Sequence, residues 1–133
     1  MNIEAYIGKP WANGAQGPDA FDCYGLVRAV LRDCCGVDAP LVAFDASRSA
    51  DCLRTVEEQR RRHVWREINA PQPWAVALMS HGRRPHHVGI ALPDGSLLHS
   101  MEGAGVVRQP LPRLRTYGWN VLQWLAWNGE VAA

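Results

Sequence analysis

Between Cys23 and Cys35 the apolar residues Leu26, Val27, Val30 and Leu31 recur at the spacing that places them on one face of an α-helix. Asp22 can cap the start of that helix, which begins at Asp22 or Cys23, Gly36 is a natural stop, and Pro40 forbids continuation. A short helix is expected over residues 3–8, leading into Gly8-Lys9-Pro10-Trp11, and a second full helix from Ala50 to Arg61 with Ser47 or Ser49 as its cap. From Ala12 to Ala20 the chain is dense in Gly, Pro, Asn and Asp and reads as a loop. After Asn69 the pattern changes. Trp74 to Met79, His87 to Leu92, Ser96 to Met101, Gly105 to Val107 and Val121 to Trp127 are short apolar runs divided by turn residues, the signature of antiparallel strands. The pattern therefore predicts an α+β fold, N-terminal helices packed on a central antiparallel sheet. At 133 residues the chain is sized for one domain, 1–133, and it carries neither an internal repeat nor a low-complexity linker.

Composition narrows the function. Fourteen basic and 13 acidic residues leave a net charge of +1, which gives no reason to expect a nucleic-acid partner. Arg60-Arg61-Arg62 and Arg83-Arg84 read as solvated faces. No run of apolar residues reaches the ~18 needed to span a membrane. Met1-Asn2-Ile3-Glu4 lacks the basic start and apolar stretch of a secretory signal, so synthesis in the cytoplasm is expected. Cys34, Cys35 and Cys52 read as small buried hydrophobes, and no C-x2-C or H-x3-H spacing suggests a metal.

The fourth cysteine, Cys23, lies at the predicted helix start. The positive end of the helix dipole and the first-turn N–H groups favour a thiolate there and can also receive an oxyanion. Its partners come from register. Along a strand His87 shares a face with Gly89 and Ala91. If the following turn were Asp94-Gly95 alone, His99 would pair with Ile90 and face away from His87. With a three-residue loop and Gly95 in the left-handed region, His99 pairs with Gly89 and joins the His87 face. His87 is then a candidate base for Cys23, and His99 a candidate orienter of His87. His86 points to the opposite face and His63 and His81 read as surface residues, so none of the three is assigned a role.

Phe21-Asp22-Cys23-Tyr24-Gly25-Leu26-Val27, His87-Val88-Gly89-Ile90 and Leu98-His99-Ser100 resemble, in this order, the motifs of the NlpC family of cell-wall cysteine peptidases. The run from Gly17 to Cys23 and Gly105-Val106-Val107-Arg108 are similar to the short form encoded by tailed phages and prophages. The resemblance implies a papain-like fold, a Cys23–His87–His99 triad, no metal and no organic cofactor. It implies cleavage of peptidoglycan stem peptides, commonly between a D-γ-glutamyl residue and a diamino acid. Trp11 holds the place of a tyrosine thought to position the thiol or oxyanion, and Tyr24 the place of a serine. Trp11, Asp22 and Tyr24 are thus the candidates for positioning substrate or oxyanion, with core packing the alternative for Trp11. The implied setting is a virion tail, among other tail proteins, acting on the wall or in the periplasm. A structural tail-assembly protein with a weak or lost site, or an amidase or acyltransferase on the same fold, stand as alternatives. Trp119, Trp124 and Trp127 are expected to cover the sheet, or else to meet a partner.

Overall fold

The computed structural model describes residues 2–40, 54, 57–58, 64–82 and 84–128, the last stretch without the side chains of residues 84–86. Helix α1 runs from Cys23 to Cys35, with Asp22 at its N-cap and Gly36, at φ +66°, at its C-cap. Leu26, Val27, Val30 and Leu31 are all buried. Burying four aliphatic side chains on one stripe, at about 1.5–3 kcal/mol each, is what commits this segment to the sheet rather than to water.

Six strands follow: β1 (Trp65–Ile68), β2 (Val76–His81), β3 (Arg84–Ala91), β4 (Ser96–Met101), β5 (Gly105–Pro110) and β6 (Trp119–Trp127). They form a single antiparallel sheet in the order β1-β6-β2-β3-β4-β5. The β3–β4 register is the one a three-residue loop requires, with Ile90 opposite Leu98 and Ala91 opposite Leu97. Gly95 takes φ +85°, and Leu92 N–H closes the turn on the Ser96 carbonyl at 2.8 Å. Beyond the Ile90–Leu98 rung the ladder ends although both strands continue.

Helix α1 packs across β3 and β4. On that face Val88, Ile90, Leu98, Val76, Leu78 and Leu125 join the helix in the main core. A smaller apolar cluster, Ala77, Met79, Leu97, Leu114 and Trp119, lies with the alternate residues of the strands.

The expected plural helices are only partly matched. Among the described residues α1 is the one α-helix described from end to end, and the N-terminus makes a 3-10 turn, Ile3–Ala5, in place of a helix through residue 8. Gly8 and Lys9 are drawn away from helix by β5: Gly8 N–H donates to the Val106 carbonyl, and Val106 N–H donates to the Lys9 carbonyl. The expected helix Ala50–Arg61, its caps Ser47 and Ser49, Cys52, His63 and the Arg60–Arg62 run lie outside the described residues, save that Arg54, Glu57 and Glu58 are helical and exposed.

Strand limits shift for identifiable reasons. Trp74 takes φ +69°, so β2 starts at Val76. The β2–β3 hairpin extends to the pair His81–Arg84, and β6 starts early because Trp119 pairs with His81. Strand β1 escapes the alternation pattern because Arg66 and Glu67 occupy its centre, yet it pairs along β6 and sets Trp65 edge-on to Trp127 at 5.2 Å. Cys34 and Cys35 are half-buried rather than buried, and partial desolvation raises both thiol pKa values.

Candidate active site

The loop before α1 is fastened to the first turn of the helix. Asp22, 1 % exposed, accepts Gly25 N–H on one carboxylate oxygen at 2.5 Å and Gly14 N–H on the other at 3.1 Å. Its own N–H donates to the Ala15 carbonyl at 2.9 Å. A Cβ on residue 25 would sit 2.2 Å from that same carbonyl, so glycine is required for the loop to close over the helix start. Burial pushes the Asp22 carboxyl up to about 6, and the adjacent Cys23 acts in the same direction. Asp22 therefore serves the fold, as a buried cap.

Cys23, 2 % exposed, opens α1. The chain leading into it is held from two sides. Phe21 N–H donates to the Pro10 carbonyl at 3.0 Å, and Ser100 Oγ donates to the Phe21 carbonyl at 2.8 Å. The second bond ties the helix start to β4 one residue beyond His99. Tyr24 is buried and spends its hydroxyl on the Pro40 carbonyl at 2.8 Å, which directs it into the packing beneath the helix. Trp11 follows Pro10 and remains half-exposed.

His87 and His99 meet on the Leu97 and Trp119 side of the strands, where the β3–β4 ladder has ended. The His87 Nε2 to His99 Nδ1 distance is 2.9 Å. A Cβ at residue 89 would lie 2.9 Å from Leu97 and 3.1 Å from the His99 Cβ, so glycine leaves the space that His99 fills. The other His99 nitrogen, Nε2, is 2.8 Å from Gln109 Oε1. His99 is fully buried, and burial first, then the neighbouring His87, depress its pKa to about 3.

These contacts dictate a proton arrangement. Gln109 Oε1 only accepts, so His99 Nε2 carries the hydrogen. A neutral His99 then has a bare Nδ1, which accepts the Nε2–H of His87. A neutral His87 that donates from Nε2 keeps its lone pair on Nδ1, the form of a general base. Gln109 is absent from the sequence-derived site because β5 was expected to end at Val107. Carrying the alternation two residues further would have put Gln109 on the His99 face, since Val107 stands opposite His99. The indole of Trp119 also stacks on His87, with ring centroids 4.7 Å apart and planes at 27°.

The profile of the NlpC/P60 family matches residues 8–125. The chain belongs to this family. A probable endopeptidase p60 from Listeria grayi is 27 % identical over 126 residues, which cover 95 % of this chain and 21 % of that protein. The chain thus spans about a fifth of the length of this curated relative. Among solved structures, the NlpC/p60 domain of the peptidoglycan hydrolase SagA is 20 % identical with a TM-score of 0.57, over 95 % of this chain and 98 % of that one. A lipoprotein-like NLP/P60 protein from Staphylococcus aureus is 18 % identical with a TM-score of 0.58, over 98 % of this chain and 43 % of the other. Both likenesses speak for the fold. As an NlpC/P60 chain it has Asp22-Cys23 at a capped helix start and His87 and His99 on adjacent strands; among the described residues no helix is long and apolar enough to cross a membrane.

Proposed function

We propose that this chain is a cysteine peptidase that cleaves peptidoglycan stem peptides. The observation that carries this reading is the hydrogen-bonded chain His87–His99–Gln109, set in the same sheet to which the Cys23 end of α1 is tied. Cys23 is the nucleophile, His87 the general base and acid, and His99 the residue that orients His87.

In the first step His87 Nδ1 takes the thiol proton of Cys23, and Sγ attacks the scissile carbonyl carbon. The resulting oxyanion is received at the start of α1, where the helix dipole favours negative charge. The C–N bond then breaks, and the proton on His87 Nδ1 passes to the leaving amine. Water, giving a proton to the same nitrogen, opens the thioester and restores the thiol. His99 stays neutral throughout, because its pKa of about 3 lies far below any working pH. It acts by holding His87 in one tautomer rather than by supplying charge.

The bond attacked is the one between a D-γ-glutamyl residue and a diamino acid. Trp11, half-exposed beside the segment that leads into Cys23, is the side chain of the expected trio still available to a substrate, since Asp22 and Tyr24 are engaged by the fold. The resemblance of Gly17–Cys23 and Gly105–Arg108 to the phage form supports a tail-associated wall hydrolase acting at the wall or in the periplasm. Virions lacking the protein that inject normally through intact wall would overturn that placement.

Mass spectrometry of purified muropeptides tests the activity itself. New amine and carboxyl ends at one stem-peptide bond are expected with the wild type and none with Cys23→Ala. A folded wild-type protein that leaves every stem peptide intact would contradict the reading.

A further inference from the structure

We propose that Trp119 is a positioning residue for His87, holding the plane of the imidazole and shielding its bond to His99 from water. The proposal rests on the reading of His87 as the base and names a residue that none of the sequence motifs includes.

A single hydrogen bond does not fix an imidazole. The His87 Nε2 to His99 Nδ1 contact leaves the His87 ring free to turn about the axis of that bond, and His87 is only half-buried. Trp119 removes that freedom. Its indole lies nearly parallel to His87, at 27° and 4.7 Å between centroids, in offset-stacking range. The same indole stands edge-on to His99, at 81° and 5.2 Å. One ring therefore touches both partners of the hydrogen bond. A bond covered in this way sits in a lower local dielectric and is stronger than one that water can reach.

Trp119 is in turn held firmly. It is 9 % exposed and packs with Met79, Leu97 and Leu114. Its backbone N–H donates to the Leu114 carbonyl at 3.0 Å. His81, its cross-strand partner, meets it edge-on at 4.8 Å and places Nε2 3.2 Å from the Tyr117 carbonyl. His81, Trp119 and His87 thus form a row of three rings in contact, anchored to backbone at its outer end. When His87 takes the thiol proton, the indole face also lies against a cation, the most favourable aromatic surface for one.

The test compares Trp119→Phe, which keeps an aromatic face, with Trp119→Met, which fills part of the volume without one. Two readings are taken. With 15N-histidine labelling, the His87 Nε2–H resonance is expected as a downfield, slowly exchanging signal in the wild type and Trp119→Phe, and lost to exchange in Trp119→Met. On muropeptides, kcat is expected to fall about tenfold in Trp119→Met with KM within about twofold, and Trp119→Phe to recover to within about threefold of wild type. Should Trp119→Met fail to fold, His81→Ala, which removes an exposed ring from the outer end of the row, is expected to speed exchange of the same N–H. A folded Trp119→Met, or His81→Ala in its place, with an unchanged resonance and unchanged kcat would overturn the proposal. If the wild type releases no stem-peptide ends, the peptidase reading fails, and the resonance alone still decides whether Trp119 holds the pair.

Discussion

Strands β3 and β4 carry two sets of side chains, one packed with α1 and one gathered around Trp119, and the two are built on different rules. Toward the helix, Val88, Ile90 and Leu98 meet Leu26, Val27 and Val30 in an apolar core. On the Trp119 side the same strands carry His87 and His99, backed by Gln109 and Trp119. The first face needs shape and volume, and many apolar combinations would satisfy it. The second buries both ring nitrogens of His99 and is tolerable only because each finds a partner, since a buried group left without one costs about 1–3 kcal/mol. Stability is concentrated on one face, and chemical order on the other.

That division can be broken from either side. The largest effect on stability is expected from the helix face. Leu98→Ala should cost about 2–5 kcal/mol in urea unfolding, while the folded fraction keeps its turnover within about threefold. A comparable loss of turnover by folded Leu98→Ala would show that the faces are not separable.

The next effect is on the Trp119 side and depends on pH. His99 has a folded pKa of about 3 against an ordinary value of 6.5, so the unfolded chain binds the proton first. Its contribution is fully present above 6.5 and is lost as pH falls toward 3, a change of a few kcal/mol. Asp22 works in the opposite sense, its raised carboxyl favouring the fold as pH drops from about 6 toward 3.8, and it is common to both proteins when wild type is compared with His99→Asn. The stability of wild type relative to His99→Asn should therefore decline between pH 6.5 and 3. A constant difference across that window would mean that His99 is not held neutral.

Gln109→Leu is expected to give the smallest change in stability, about 1–2 kcal/mol, because it leaves His99 Nε2–H buried without an acceptor. It should also free the tautomer of His99 and lower kcat about tenfold. Near-wild-type turnover in Gln109→Glu, which keeps an acceptor oxygen at the same reach, against the loss in Gln109→Leu would sharpen the case that the acceptor, and not the packing, is what His99 needs.

Much of the helix face was legible because burial there writes itself as periodicity. Leu26, Val27, Val30 and Leu31 give α1 and Asp22 and Gly36 give its ends, while the turn at Gly95 allowed two registers, of which the structure has the one that sets His99 on the His87 face. Less of the Trp119 side was legible, for a physical reason. Gln109 lies two residues past an apolar run, at a position where a polar residue reads as strand end. Trp119 reaches His87 only through the pairing of β6 with β2, a contact between segments far apart in sequence and offset by a bulge between Leu78 and Met79. Local patterns carry no trace of such a pairing. Tyr24 shows the converse. Its place next to Cys23 suggests contact with substrate, whereas its hydroxyl is bound beneath the helix to Pro40.

The central claim is that His87, set by His99 and Gln109, activates Cys23. The most direct test is the rate at which iodoacetamide alkylates Cys23 at neutral pH, read by peptide mass spectrometry against Cys34 and Cys35 in the same molecule, in wild type and in His87→Ala. The account predicts that Cys23 reacts well ahead of the other two in the wild type and slows at least about tenfold in His87→Ala, with the fold intact. A Cys23 that reacts no faster than Cys34 or Cys35, or equally fast with and without His87, would contradict it.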